Sequence, residues 1–169
     1  MELDSLLVTK LVLIALVVIA MLSDLIQMRI PNVIPAAIIL LFPVAYIGGE
    51  ASTPLLDHVG AMLVVLVIGI VLFAMKLLGG GDIKFLTSLA LWTGFGLLPS
   101  FIVIVTLIGG AQSIAVLLLR KYSHAIEYML VKCKIEIPKW LRRGSEFPYG
   151  VSIGIALLIV FDRIPFWLP

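Results

Sequence analysis

Apolar positions in this chain come in runs too long for the core of a soluble domain, and polar positions come in short clusters between them. Residues 6–22 are apolar apart from Thr9 and Lys10, a run long enough to cross a bilayer, with Asp24 near its far end. A polar cluster follows, Ser23-Asp24-Leu25-Ile26-Gln27-Met28-Arg29-Ile30-Pro31-Asn32, whose proline suits the restart of a helix. A second, shorter run covers 33–47 and ends at Gly48-Gly49-Glu50, and 51–58 reads as a polar loop. The third run is 59–78, the fourth 83–98, and the fifth 101–119, with Pro99 and Ser100 as the break between the last two. Gly109-Gly110 in the fifth run permits either close helix packing or a simple kink. Residues 120–147 are mixed and basic, and a final run covers 148–160. The pattern predicts an all-α polytopic membrane protein, a bundle of six transmembrane helices forming one domain over 1–169. No fixed-period repeat, low-complexity tract or dividing linker interrupts it.

Composition agrees. Of 169 residues, 62% are hydrophobic and only 13% charged, with a mean hydropathy of +1.23, far from an ordinary soluble domain. The first run does not read as a cleavable signal peptide, because Glu2 and Asp4 stand where basic residues belong. With a single cysteine, Cys133, no intramolecular disulfide and no C-x-x-C metal site can form. Cys133 reads as a small apolar or interfacial residue. His58 has no second histidine at ligand spacing and reads as a solvated loop residue. Neither a zinc motif nor a Ser-His-Asp set is present. No metal, cofactor or nucleic-acid partner is expected.

The net charge of +2 matters less than its distribution. With the amino terminus outside, the cytoplasmic segments hold Arg29, Lys76, Lys84, Arg120, Lys121, Lys132, Lys134, Lys139, Arg142 and Arg143. The outer side keeps only Lys10 and Arg163, beside Glu2, Asp4, Glu50, Asp57 and Asp162. This is the positive-inside asymmetry. Tyr149, Trp140 and Trp167 fall at span ends, as interfacial anchors do.

That orientation puts Asp24 and Asp82 at one face. Asp82 belongs to Gly79-Gly80-Gly81-Asp82-Ile83-Lys84, where three glycines let the chain turn sharply between two apolar runs. A carboxylate beside the hydrocarbon phase is costly and marks a functional candidate. Two aspartates held close share a proton, so one acts as base while the other acts as acid. Such a pair can activate water against a peptide carbonyl and protonate the leaving amine. Intramembrane acids also line proton and ion pathways, which is their commoner use. The residues by themselves therefore favour a small proton- or ion-coupled transporter over an enzyme, and a non-catalytic assembly subunit remains a third reading.

A resemblance reverses that balance. Asp24 with Arg29-Ile30-Pro31-Asn32, followed by Gly79-Gly80-Gly81-Asp82-Ile83-Lys84, resembles the paired signatures of the type IV prepilin peptidases. These are G-x-G-D intramembrane aspartic peptidases, a group that includes preflagellin peptidases and, more distantly, presenilin-type enzymes. Pro148-Tyr149-Gly150, opening the last run, is similar to another recurrent element of the family. The resemblance implies catalytic Asp24 and Asp82, and cleavage of a short basic leader from prepilin or prepilin-like proteins at the cytoplasmic face of a bacterial inner membrane. Larger members carry a cytoplasmic insertion, often with paired C-x-x-C motifs, associated with methylating the new amino terminus. Here only residues 27–32 join the first two runs, so the chain resembles the compact, peptidase-only forms such as those of tight-adherence pili.

Supporting roles follow. Pro31 and Asn32 are expected to shape and cap the second helix rather than touch substrate. Lys84 is expected to meet lipid headgroups or solvent rather than Asp82. In 120–147, Ile126, Met129, Leu130, Cys133 and Ile137 recur at helical spacing among lysines, which suits a helix lying on anionic headgroups of the inner leaflet.

Overall fold

The computed structural model describes residues 2–48, 53–121, 139–141 and 147–164. Among these the protein is all helical: α1 is Glu2–Gln27, α2 Val33–Gly48, α3 Leu55–Ala74, α4 Gly80–Lys121 and α5 Tyr149–Val160. Short 3-10 turns occur at Lys139–Leu141 and Phe161–Arg163. The interfacial helix expected around Ile126 to Ile137 lies outside the described residues.

Three helices, α1, α3 and α4, are long and apolar enough to cross a membrane. α1 and α3 each have a narrow buried face and a wide exposed apolar one. On α1 the buried positions are Thr9, Leu13, Val17, Ala20 and Asp24, one stripe at spacings of three and four. Leu7, Leu11, Ile19, Leu22 and Ile26 on the same helix are exposed. A soluble monomer does not present such a surface, so the exposed face reads as lipid-facing. Asp24 is in phase with the inward stripe, which turns its carboxylate into the bundle.

The first part of α4 and all of α5 supply the centre. Phe85, Leu89, Ala90, Trp92, Ile153, Ala156 and Leu157 are fully buried. Helix association in lipid relies on close packing rather than water exclusion, so small residues recur at contacts. Ile83 lies on Gly69 and the Tyr149 ring on Gly109, where an added Cβ would clash. Met21 covers Gly154 in the same way. The buried Trp92 indole N–H donates to the Ile38 carbonyl at 3.1 Å, and its ring meets Phe42 edge-on at 5.7 Å.

α4 is broken at Gly94, with φ 58° and ψ 178°, and not at Pro99-Ser100 as the sequence predicts. Pro99 lies just inside the second segment, where its ring opposes the carbonyl of Phe95, the residue at which that segment begins. The break has a specific cause in α3. In an unbroken helix the Phe95 N–H would donate to the Leu91 carbonyl. Instead Phe95 N–H donates to Asp57 Oδ2 at 2.9 Å, and His58 Nδ1 bonds the Leu91 carbonyl at 2.9 Å. Two adjacent side chains thus satisfy both halves of the bond that the kink removes. An added Cβ at Gly94 would lie 2.7 Å from Asp57 Oδ2.

His58 is therefore not the solvated loop residue expected. It is fully buried in the first turn of α3, which starts at Leu55 after Pro54. His58 is in phase with Ala61, Val65 and Gly69 on the buried face. Its Nε2 meets Thr53 Oγ1 at 2.7 Å. Arg120, counted in the sequence for its charge, also has a structural role. It is nearly buried, donating from Nε and Nη2 to the Trp140 carbonyl at 2.9 and 2.7 Å and lying over the Phe147 ring.

Candidate active site

Asp24 and Asp82 line one cavity of about 1300 Å³. It opens where the ends of α1 and α3 meet the start of α4. Each boundary is built locally. α1 stops at Met28, which takes φ 57° and whose N–H bonds the Asp24 carbonyl at 2.9 Å. Ser23 Oγ then holds the Arg29 carbonyl at 2.8 Å, so the chain turns directly after Asp24. α3 stops in the same manner. Lys76 has φ 59°, and Leu77 N–H reaches back to the Leu72 carbonyl at 2.9 Å, the six-to-one bond of a Schellman close. Both positive-φ residues other than glycine among the described residues thus flank this cavity.

The triple glycine does not simply unwind the chain. Gly79 accepts the Ile83 N–H at 3.1 Å and so caps α4, while Gly80 and Gly81 form its first turn. Asp82 occupies the third helical position, where an acidic group suits the helix amino terminus. Its Oδ2 folds back over Gly79, 2.9 Å from where a Cβ would stand. Gly81 faces Ile30, whose backbone N would lie 3.7 Å from an added Cβ. Close approach at Gly81 seats the start of α4 on the turn that follows Asp24.

Ile30 links that seat to the third motif. Its Cδ1 would lie 2.7 Å from a Cβ on Gly150, and the Gly150 N–H donates to Asp24 Oδ2 at 2.8 Å. The first N–H groups of a helix have no partner within it, so the start of α5 has this donor to give. Tyr149 also lines the cavity and lies within electrostatic reach of Asp82. Arg29 and Lys76 stand at its rim beside Pro31 and Asn32. All three sequence motifs therefore converge.

Lys84 takes a partner the sequence reading did not choose. Its Nζ donates to Asn32 Oδ1 at 2.9 Å, at an exposed position. Asn32 serves α2 with its backbone carbonyl, which accepts the Ala36 N–H at 3.2 Å, while the Pro31 carbonyl accepts that of Ile34 at 3.0 Å. These two residues start α2 through their backbone carbonyls, and the Asn32 side chain ties that start to α4. Sequence reasoning missed Gln112, whose Nε2 donates to the Pro148 carbonyl at 2.8 Å, and Ser152, whose hydroxyl donates to Gln112 Oε1. The available signal was a polar side chain inside an apolar run, which marks a functional candidate by default.

The model of the type IV leader peptidase family matches residues 11–114, more than half the chain. The chain belongs to this family. It is thus a peptidase by family. The matched region of this leader peptidase contains Asp24 and Asp82 and stops short of Pro148-Tyr149-Gly150. No curated protein and no solved structure matches the chain. Among the described residues, no group of histidine, cysteine, aspartate and glutamate could hold a metal ion.

Proposed function

We propose that this leader peptidase is an aspartic endopeptidase in which Asp24 and Asp82 activate water between them. The observation that carries the reading is that these two carboxylates, from opposite ends of two helices, line one cavity. The ionised partner takes a proton from water, and the oxygen attacks the carbonyl carbon of the scissile bond. The protonated partner donates to the carbonyl oxygen. Collapse of the tetrahedral intermediate breaks the C–N bond, with the proton taken from water passing to the leaving amine. The pair is one titrating unit rather than two independent groups.

The substrate is a prepilin or prepilin-like protein whose short basic leader precedes an apolar segment. The six apolar segments, counting α4 as two across Gly94, each cross a bacterial inner membrane, and 1–169 form one membrane domain. Lys and Arg asymmetry puts the amino terminus outside and both aspartates at the cytoplasmic face. The short connection from Met28 to Asn32 leaves no room between α1 and α2 for a soluble module, so cleavage proceeds without methylation of the new amine.

The full chain, purified and returned to a bilayer, should shorten a prepilin-type polypeptide at the leader boundary. The same preparation given a labelled methyl donor should transfer nothing. Absence of the shortened product, or loss of the product only when a metal chelator is added, would contradict the aspartic reading.

A further inference from the structure

We infer that Gln112 is a positioning residue for the cleavage reaction: it holds the first turn of α5 so that the Gly150 N–H is aimed at Asp24. The inference rests on the reading of Asp24 as catalytic.

The turn needs an external hold. Pro148 caps α5 with φ −74° and ψ 75° and makes no side-chain cap bond. The Tyr149 N–H bonds Phe147 and the Val151 N–H bonds Pro148, but these local bonds do not fix the turn relative to α1, where Asp24 lies. Gln112 supplies the fixed point from the second segment of α4. Its Nε2 grips the Pro148 carbonyl at 2.8 Å, and its Oε1 accepts from the fully buried Ser152, one turn into α5. One amide thus holds α5 at two points, before and after Gly150. Ser152 also orients it, because a hydroxyl proton directed at Oε1 leaves the NH₂ group to face Pro148.

The same face of α4 shapes the seat. Gly109 stands about one turn before Gln112, and the Tyr149 ring lies so close that an added Cβ would be 2.5 to 2.7 Å from its atoms. Gly109 and Gln112 together therefore set Tyr149 and Pro148, and through them the Gly150 N–H. That N–H holds one oxygen of Asp24 and so fixes the plane of its carboxylate.

Gln112 does not line the cavity that contains the aspartates. It lines a separate apolar groove on the far side of α5, together with Leu25, Trp140 and Val151. Replacing it should leave the substrate-facing surface unchanged while loosening the aim of Asp24. The effect should fall on kcat and not on KM, and loss of aim alone costs about tenfold to a hundredfold.

The test uses the full chain in bilayers and a prepilin-type polypeptide made of a basic leader and an apolar segment. Gln112→Met keeps length and helix propensity but can neither grip Pro148 nor accept from Ser152. It should lower kcat per folded molecule by about tenfold or more, with KM within about twofold and a thermal midpoint lowered only as far as the loss of two hydrogen bonds requires. Ser152→Ala leaves Pro148 gripped by an amide free to rotate, so it should cost several-fold in kcat. The double variant should match Gln112→Met, since both residues act along one path. Ile114→Met, exposed on the same helix, should keep the parental kcat. Should Gln112→Met fail to fold, Ser152→Ala decides by itself. Parental kcat in either folded variant, or a loss confined to KM, overturns the inference. A parent that cuts nothing overturns this inference and the proposed function together. A cutting parent, an inert Asp24→Asn variant and a parental Gln112→Met overturn this one alone.

Discussion

The backbone N–H of Gly150 donates to Oδ2 of Asp24 across 2.8 Å, between residues 126 positions apart in the chain. This bond ties the last helix to the end of the first at the point where the carboxylate meets the cavity. It also explains why position 150 is glycine, since no side chain fits between the α5 backbone and Asp24.

Gly150→Ala should therefore injure catalysis more than folding. Its Cβ would stand 2.9 Å from Asp24 Oδ2 and 2.7 Å from Ile30 Cδ1. The carboxylate and the isoleucine tip must both shift, at a cost of about 1–3 kcal/mol. Cleavage should fall by about a hundredfold while the helix content by circular dichroism stays parental. A cleavage rate near the parent's would show that the donor is not needed where the structure places it.

How far the site was legible differs from motif to motif. Asp24 was legible from its position near the far end of the first apolar run, its phase with the buried Leu13, Val17 and Ala20 emerging only in the structure. The triple glycine marked the start of α4. His58 was misread because the polar appearance of 51–58 hid its phase with Ala61, Val65 and Gly69. The α4 break was misplaced because Pro99 is a local signal, whereas the kink at Gly94 depends on Asp57 and His58 from another helix. No local pattern carries that information. Gln112 stood out only as a polar residue in an apolar run, and its partners, Pro148 and Ser152, are far away in sequence.

The Gly94 kink gives a stability prediction separate from catalysis. His58→Phe keeps a ring beside Phe42, whose centroid lies 5.4 Å from that of His58, but leaves the Leu91 carbonyl without the histidine bond. Loss of about 1–3 kcal/mol is expected. Asp57→Ala should cost less, because the Phe95 N–H it frees is at an exposed position. Gly94→Ala should cost the most, joining positive φ to a Cβ at 2.7 Å from Asp57 Oδ2. Asp82 is about 18 Å away along the same helical segment, so kcat per folded molecule should hold in the first two variants. Unfolding midpoints in bilayer discs rank the three. A loss of kcat without a loss of stability would mean that the kink communicates with the site.

Lys84→Met separates two roles for that lysine. The structure gives Lys84 one exposed hydrogen bond, to Asn32, and such a bond contributes about 1 kcal/mol or less. The substitution should lower stability by no more than that and leave cleavage within about threefold of the parent. Comparing neutral with anionic bilayers provides the check. If the parent prefers anionic lipid and Lys84→Met does not, the lysine reads headgroups after all.

The sharpest expectation concerns the two aspartates as a unit. Asn is nearly isosteric with Asp, so Asp24→Asn keeps an oxygen for the Gly150 N–H and Asp82→Asn keeps an oxygen above Gly79. Neither variant should lose its fold, and thermal midpoints within a few degrees of the parent will show it. Neither can pass a proton between water and the leaving amine, so each alone should reduce cleavage by several orders of magnitude. Independent contributions would multiply, making the double variant far worse than either single one. A pair sharing one proton behaves differently, because removing one member already leaves the other without its counterpart. The double variant should therefore cleave about as slowly as the slower single variant. Single-turnover cleavage of a prepilin-type polypeptide across the four proteins closes the cycle. Multiplicative losses would show two separate roles, and near-parental cleavage in either single variant would remove that aspartate from the mechanism.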